Sequence, residues 1–354
     1  MYPHITYPEA MVVGLIQGVT ELFPISSLGH NVLIPALVGG QWAQDLNVSA
    51  PESPYLAFIV GMHVATALAM IIYFWRDWLR IIKGFFGSVG HVVRPAPGTR
   101  RWEPQTVEQR LAWMIILATI PVGIAGLALE HAFRVFFSKP IPTALFLSVN
   151  GLILLYGERL RRRRVSLDEE QLAEDRQLAV ASGGYGGVVP PGASRVGAVG
   201  KAAHSDGQRA LKQHEADVAV LSDRRLVRLG WRNAFGLGAM QIFALLPGIS
   251  RDGIVMVSGM FRGLSMRDAA RFSFLLSAPV IFAAGLLKIP DLTGPLGNGI
   301  RGQVLVGSIL SGVGAYLALR FFMRYISDPK RTLTPFAVYC LVFGLASAIY
   351  LAIR

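Results

Sequence analysis

The sequence predicts an all-α polytopic membrane protein made of two inverted repeats, each a re-entrant helical hairpin plus three transmembrane helices. Three observations carry that expectation. Hydrophobic residues make up 53% of the 354-residue chain and charged residues 16%, and the mean hydropathy is +0.47, far from a soluble domain. Apolar runs of about 20 residues, the length that crosses a bilayer core, recur along the chain. Two apolar segments are broken by short polar signatures, Pro24-Ile25-Ser26-Ser27-Leu28-Gly29-His30 and Pro247-Gly248-Ile249-Ser250-Arg251-Asp252-Gly253. Polar groups and irregular backbone survive at membrane depth only inside protein or beside a wet cavity, so the two breaks suggest one shared site.

Taken in order, the first broken segment covers about 9 to 38, and spans follow at 55 to 75, 111 to 130 and 141 to 157. After the second broken segment, spans are expected at 272 to 290, 302 to 320 and 334 to 353. The first 30 residues lack a basic n-region and carry Glu21 and His30 within the apolar run, which does not read as a cleaved signal peptide. Cys340 is the single cysteine, so no internal disulfide can form.

The net charge of +12 arises from residues just outside the apolar spans, among them Arg76, Arg80, Lys83, Arg159, Arg161 to Arg164, Arg320, Arg324, Lys330 and Arg331. This is the positive-inside pattern of a membrane protein and lacks any nucleic-acid motif. Those loops are expected to face the cytoplasm, and both termini to face out. The first hairpin then opens outward and the second, between Arg232 and Arg262, opens inward. An odd number of crossings between them inverts the second copy. A weak repeat agrees: Leu22-Phe23-Pro24-Ile25-Ser26-Ser27 resembles Leu245-Leu246-Pro247-Gly248-Ile249-Ser250, and broken helices meeting near the midplane are a common inverted-repeat design.

Three regions follow: a first membrane repeat at 1–157, a linker at 158–230 and a second repeat at 231–354. The linker passes from Arg161–Arg164 through an acidic stretch to a Gly- and Ala-rich one, without apolar periodicity, and reads as cytoplasmic and disordered or only locally helical. It contains Pro191-Gly192-Ala193-Ser194-Arg195, a near copy of the second signature, but no apolar segment surrounds it to bury a site.

Residue types then suggest the chemistry. Gln17 and Glu21 share a helix face. Ser27 could be a nucleophile, His30 a nucleophile or an acid/base, and Glu21 a base or a metal ligand. In the second signature, Gly248 and Gly253 permit close backbone approach, exposed amides can bind an anion, and the Arg251 fork matches phosphate oxygens. The two halves together describe a phosphate site. His63 reads as a packed polar residue rather than a catalyst, and Gly14 and Gly18 as positions for close helix contact.

These elements, Gln-x-x-x-Glu and Pro-x-Ser-Ser-x-Gly-His followed by Pro-Gly-x-Ser-Arg and Phe272-Ser273-Phe274-Leu275-Leu276, resemble the undecaprenyl-pyrophosphate phosphatase, or bacitracin-resistance, family of bacterial membrane proteins. The resemblance covers both membrane halves and excludes the linker. It implies hydrolysis of undecaprenyl pyrophosphate to the monophosphate carrier for peptidoglycan synthesis, at a site on the outer side of the inner membrane, with Mg²⁺ or Ca²⁺. It further implies Glu21, Ser27 and His30 as catalytic residues, without deciding between serine and histidine as the attacking group. Gln17, Ser26, Gly248, Ser250 and Arg251 would bind substrate. The implied partners are a polyprenyl pyrophosphate lipid, membrane lipids and, as an option, a second copy of the chain.

The sequence departs from the family pattern in places. Asp252 and Val255 stand where Ser and Thr are usual, Leu28 where Thr is common, and Met266 where an arginine often follows the serine. Gln17 is a neutral variant of the first acidic position. Asp252 could compensate as a metal ligand beside Glu21. The alternative function is a transporter or flippase for a phosphorylated polyprenyl lipid, which would need Arg251 but no nucleophile beside a carboxylate; a weakly active homologue with a binding role is a third option.

Overall fold

The computed structural model describes residues 5–47, 54–93, 103–132, 139–163, 218–294, 299–328 and 330–353, with isolated positions 173 and 177. The described residues are helices and their connections, with no strand. The helices are α1 (Tyr7–Leu22), α2 (Ser27–Val38), α3 (Gly40–Asp45), α4 (Pro54–Tyr73), α5 (Trp75–Val93), α6 (Val107–Ala132) and α7 (Pro140–Arg162). After a helix at 218–228 come α8 (Gly230–Met240), a 3₁₀ turn (Gln241–Leu245), α9 (Arg251–Phe261), α10 (Met266–Thr293), α11 (Arg301–Ile326) and α12 (Thr334–Ile353).

Five of these helices, α6, α7, α10, α11 and α12, are long and apolar enough to cross a membrane. They coincide with five of the expected spans; the sixth expectation, at 55 to 75, falls on α4, whose 61–73 portion is a shorter apolar helix. The chain is therefore a multi-pass membrane protein.

Local chemistry explains the first helix. Thr6 and Glu9 form a capping box in which Glu9 accepts from the Thr6 N–H at 2.8 Å, and Pro8 occupies the first turn, where the missing N–H costs nothing. Further along, Gly14 and Gly18 let α1 lie backbone to backbone on α11. A Cβ at Gly14 would meet the Gly307 carbonyl at 2.5 Å, and one at Gly18 would overlap the Ser311 carbonyl. This is the small-residue contact that helices use where no hydrophobic effect drives them together. It anchors the middle of α1 against a long span.

α1 and α4 both lie on α11, α4 also packs against α10, α8 lies on α6 and α7 on α12. The two hairpins, α1–α2 and α8–α9, meet at their tips.

The sequence patterning did not register α5 as a helix. It presents Trp75, Leu79, Ile82, Phe86 and Val89 outward at spacings of four and three, one apolar stripe of an amphipathic helix. Its opposite side crosses the start of α6, where the Trp113 indole donates to Ser88 at 2.9 Å. Alternating Arg, Lys and Gly residues within the stripe obscure it in a search for continuous apolar runs.

The linker expectation needs correction at both ends. α7 runs through Arg162, and residues 218–228 are helical; the linker copy Ser194-Arg195 lies outside the described residues. The 218–228 helix is tied to the membrane helices by ion pairs. Asp223 pairs with Arg271 at 2.7 Å and Arg80 at 2.9 Å, Arg225 pairs with Asp268 at 2.6 Å, and Arg271 reaches Asp77 at 2.8 Å. Burial pushes the Asp223 carboxyl up despite the opposing pull of Arg271 and Arg80, a sign that its desolvation is costly. Charged residues were legible in the sequence as orientation signals, but their role as a buried clamp depends on tertiary placement.

Candidate active site

Each hairpin breaks where backbone groups need replacement partners. Ser26 holds φ +67°, the one non-glycine positive φ among the described residues, a conformation that costs about 1–3 kcal/mol. Its hydroxyl offsets that cost by accepting from Gly29 N at 3.3 Å and from Gly248 N at 3.2 Å. Gly248 sits at φ +107°, packed so tightly that a Cβ would meet the Thr143 carbonyl at 2.5 Å. The two hairpin tips are thus joined by a direct hydrogen bond, as the paired breaks suggested.

Asn150, fully buried on α7, completes the junction. Its Nδ2 donates to the Pro24 carbonyl at 2.9 Å, and its Oδ1 accepts from the Ser250 N–H at 2.9 Å. One amide therefore satisfies an orphan group from each break. Asn150 was missed from sequence because a lone asparagine in an apolar span carries no motif; its only signal was its polarity at membrane depth.

Glu21 lies at the centre. Its Oε2 accepts from Gln17 Nε2 at 2.9 Å and from the Ser27 hydroxyl, while Oε1 accepts from Arg251 Nη2 at 3.1 Å. His63 Nε2 lies 3.5 Å from Oε2. Carboxylate, hydroxyl and guanidinium, drawn from α1, α2 and α9, meet at one point. Arg251 and His63 retain partial side-chain exposure, each 21%, whereas Glu21 has 4%, so the accessible side of the cluster carries cationic and donor groups.

The remaining expected residues have other partners. His30 Nδ1 contacts the Ser26 carbonyl at 2.7 Å, its Nε2 contacts the Tyr339 hydroxyl at 2.7 Å, and its ring stacks with Tyr339 and Phe343. Both ring nitrogens are engaged by groups other than Glu21, Nδ1 by the hairpin turn and Nε2 by α12. Gln17 is fully buried and its amide is used on both ends, by Glu21 and by Asn31. Ser26 and Gly248 are committed to each other, and Ser250 is the N-cap of α9, accepting from Gly253 N at 3.1 Å. These three shape the site through the backbone.

Asp252, expected as a metal ligand beside Glu21, is bonded to α10. Its Oδ1 accepts from Ser273 and Ser277 of α10, each at 2.7 Å. The second position of α9 turns its side chain toward α10 rather than toward Glu21. Among the described residues, no group of three or more His, Cys, Asp or Glu side chains could hold a metal ion. The donors suit an ion that brings most of its shell with it, through one carboxylate and bound phosphate oxygens. They do not form an all-protein cage.

His63 was expected to be a packed polar residue, and the structure puts it within the polar cluster instead. The signal was available: α4 is otherwise strongly apolar, and an ionisable residue in such a segment points to function.

The family model for the bacitracin resistance protein BacA matches residues 10–210 and 208–346. A protein of Mycolicibacterium paratuberculosis named undecaprenyl-diphosphatase is 53% identical over the full length of both chains. A Frankia alni protein named undecaprenyl-diphosphatase 2 is 48% identical over 99% of both, and a Chromobacterium violaceum protein of the same name is 34% identical over 97% of this chain and 98% of its own. With both hairpin breaks inside the family match and every span inside the full-length alignment to the first relative, the chain belongs to the bacitracin resistance protein BacA family.

Proposed function

We infer that this protein is an integral membrane phosphatase that hydrolyses undecaprenyl pyrophosphate to undecaprenyl phosphate and inorganic phosphate, recycling the lipid carrier for cell-wall synthesis. The observation that carries the reading is the Ser27–Glu21–Arg251 contact. A transporter would need an anion-binding arginine but has no use for a hydroxyl already bonded to a carboxylate.

In this mechanism Arg251 and the N-terminus of α9 receive the pyrophosphate. Ser27 Oγ attacks the terminal phosphorus while its proton passes to Glu21 Oε2, which already accepts from it. The new Oγ–P bond replaces the P–O bond to the bridging oxygen, and undecaprenyl phosphate leaves as an anion that needs no proton. Water then attacks the phosphoserine phosphorus; the Oγ–P bond breaks, Ser27 Oγ takes back the proton held on Glu21, and the water's oxygen and hydrogens leave as part of inorganic phosphate. Arg251 offsets negative charge on the transferred group. A divalent cation, Mg²⁺ or Ca²⁺, would be held by Glu21 and substrate oxygens, where it would supply charge neutralisation. His30 would shape the hairpin by holding the Ser26 carbonyl and the Tyr339 hydroxyl.

The site would open to the outer side of the bacterial inner membrane, with the linker in the cytoplasm and the two halves inverted. A cysteine placed at Ser182 should resist a membrane-impermeant thiol reagent in intact cells and react after lysis; labelling of intact cells would reverse the orientation.

The deciding assay is phosphate release from undecaprenyl pyrophosphate by the purified protein, with and without chelator, combined with parallel acid and alkaline denaturing quenches of the reaction. An acid-stable phosphoserine at Ser27 supports the mechanism. An acid-labile phosphohistidine at His30 would transfer the nucleophilic role, and no phosphate release at all would remove the enzymatic reading.

A further inference from the structure

The polar groups behind Glu21 form a chain whose hydrogen-bond direction is set by two buried amides. Asn31 Nδ2 donates to Gln17 Oε1 at 2.5 Å; Gln17 Nε2 lies 2.9 Å from Glu21 Oε2 and 3.3 Å from His63 Nε2; His63 Nδ1 lies 2.9 Å from the Ile59 carbonyl. An amide has one accepting and one donating end. Turning Gln17 around would set its oxygen against the Glu21 carboxylate, and turning Asn31 around would set two oxygens together at 2.5 Å. Gln17 must therefore spend its two N–H groups on Glu21 and His63. A Gln17 N–H aimed at His63 Nε2 is matched by the tautomer that carries its proton on Nδ1, from which it donates to the Ile59 carbonyl, while Glu21 Oε2 lies farther from Nε2 at 3.5 Å.

We propose that Asn31 and His63 are positioning residues that act through Gln17 to fix the orientation of the Glu21 carboxylate toward Ser27. The proposal rests on the reading of Glu21 as the proton acceptor of Ser27, and it gives the neutral Gln17 a reason: a carboxylate there could accept from Asn31 but could donate to neither Glu21 nor His63. The chain reaches from α2 through α1 to α4, so the first hairpin is tied to the span beside it at the point where the acceptor must be held still. Asn31 and Gln17 are 2% and 0% exposed, so water is not at hand to replace a lost link.

Two measurements separate this proposal from the reading it rests on. In protein labelled with ¹⁵N-histidine, the His63 signal, identified by its absence in His63→Gln, should show a protonated Nδ1 and an unprotonated, hydrogen-bonded Nε2 whether or not the protein is active. A protonated Nε2 overturns the chain. In the phosphate-release assay, Asn31→Asp is nearly isosteric but cannot donate to Gln17. It should lower kcat at least about tenfold with KM little changed, the pattern of a transition-state defect. His63→Leu should do the same, while His63→Gln, which restores an acceptor, should stay within about threefold of the parent kcat. Parent-level kcat in both Asn31→Asp and His63→Leu would overturn the proposal. So would loss in His63→Gln equal to that in His63→Leu, because the required feature would then be the imidazole and not an acceptor. Absence of phosphate release by the parent protein would fail the functional reading alone and leave the tautomer result standing.

Discussion

The two hairpins share a break and a following helix, yet they spend polar residues in opposite ways. In the first, Gln17, Glu21, Ser27 and Asn31 are bonded to one another and to His63 in a continuous network. In the second, the corresponding stretch enters the break as a 3₁₀ turn, with Ala244 three residues before Pro247 where Glu21 precedes Pro24. Its contribution is Arg251 at the start of α9, and Gln241, fully buried, has no hydrogen-bond partner for either amide atom among the described residues. Under the proposed function, a shared backbone device would support proton chemistry on one side and anion recognition on the other. The Ser26–Gly248 hydrogen bond brings the two together.

The largest expected effects test this division directly. Glu21→Gln removes the proton acceptor but keeps the size of the side chain, and should cost at least about 10²-fold in kcat with KM little affected. Arg251→Ala removes a charge that serves binding as well as transition-state charge, so it should lower kcat by about 10²-fold and also raise KM. Identical signatures in the two variants, measured by steady-state phosphate release, would break the division of labour between hairpins.

A smaller effect is expected where the hairpins are joined. Asn150→Ala leaves the Pro24 carbonyl and the Ser250 N–H without their partner, at a cost of about 1–3 kcal/mol for each buried group left unpaired. Turnover should fall by up to about 10²-fold, the scale on which small displacements of reacting groups act, and the thermal midpoint should fall with it. An intact midpoint together with intact turnover would mean that the Ser26–Gly248 contact alone holds the junction.

How much of this was legible in the sequence differs between levels. Apolar runs marked five of the long spans because span length and composition are set locally. The breaks identified the site region because Pro24, Ser26, Pro247 and Gly248 disrupt helices on their own. Partner choice was not legible. Whether His30 faces Glu21 or Tyr339, and whether Asp252 faces a metal or Ser273, depends on which helix lies alongside, and residue type does not encode that. The amphipathic α5 escaped because its apolar residues are interleaved with charge, and the 218–228 helix because its anchoring ion pairs join it to distant α5 and α10.

The smallest effect carries the sharpest contrast, because it concerns the same residue type in the two hairpins. Gln17 donates to and accepts from three named neighbours, so Gln17→Leu removes the support of Glu21 and should lower kcat at least about tenfold. Gln241 is as deeply buried, with an unpaired amide that costs about 1–3 kcal/mol. Replacement by leucine of similar size removes that cost. Gln241→Leu should therefore keep its kcat and hold or raise the thermal midpoint of the detergent-solubilised protein. A fall in kcat would instead show that the Gln241 amide serves a buried water or a phosphate oxygen, since buried polar groups without protein partners are commonly satisfied in that way. In that event the second hairpin would own a working glutamine like the first, and the asymmetry between them would reduce to Glu21 alone.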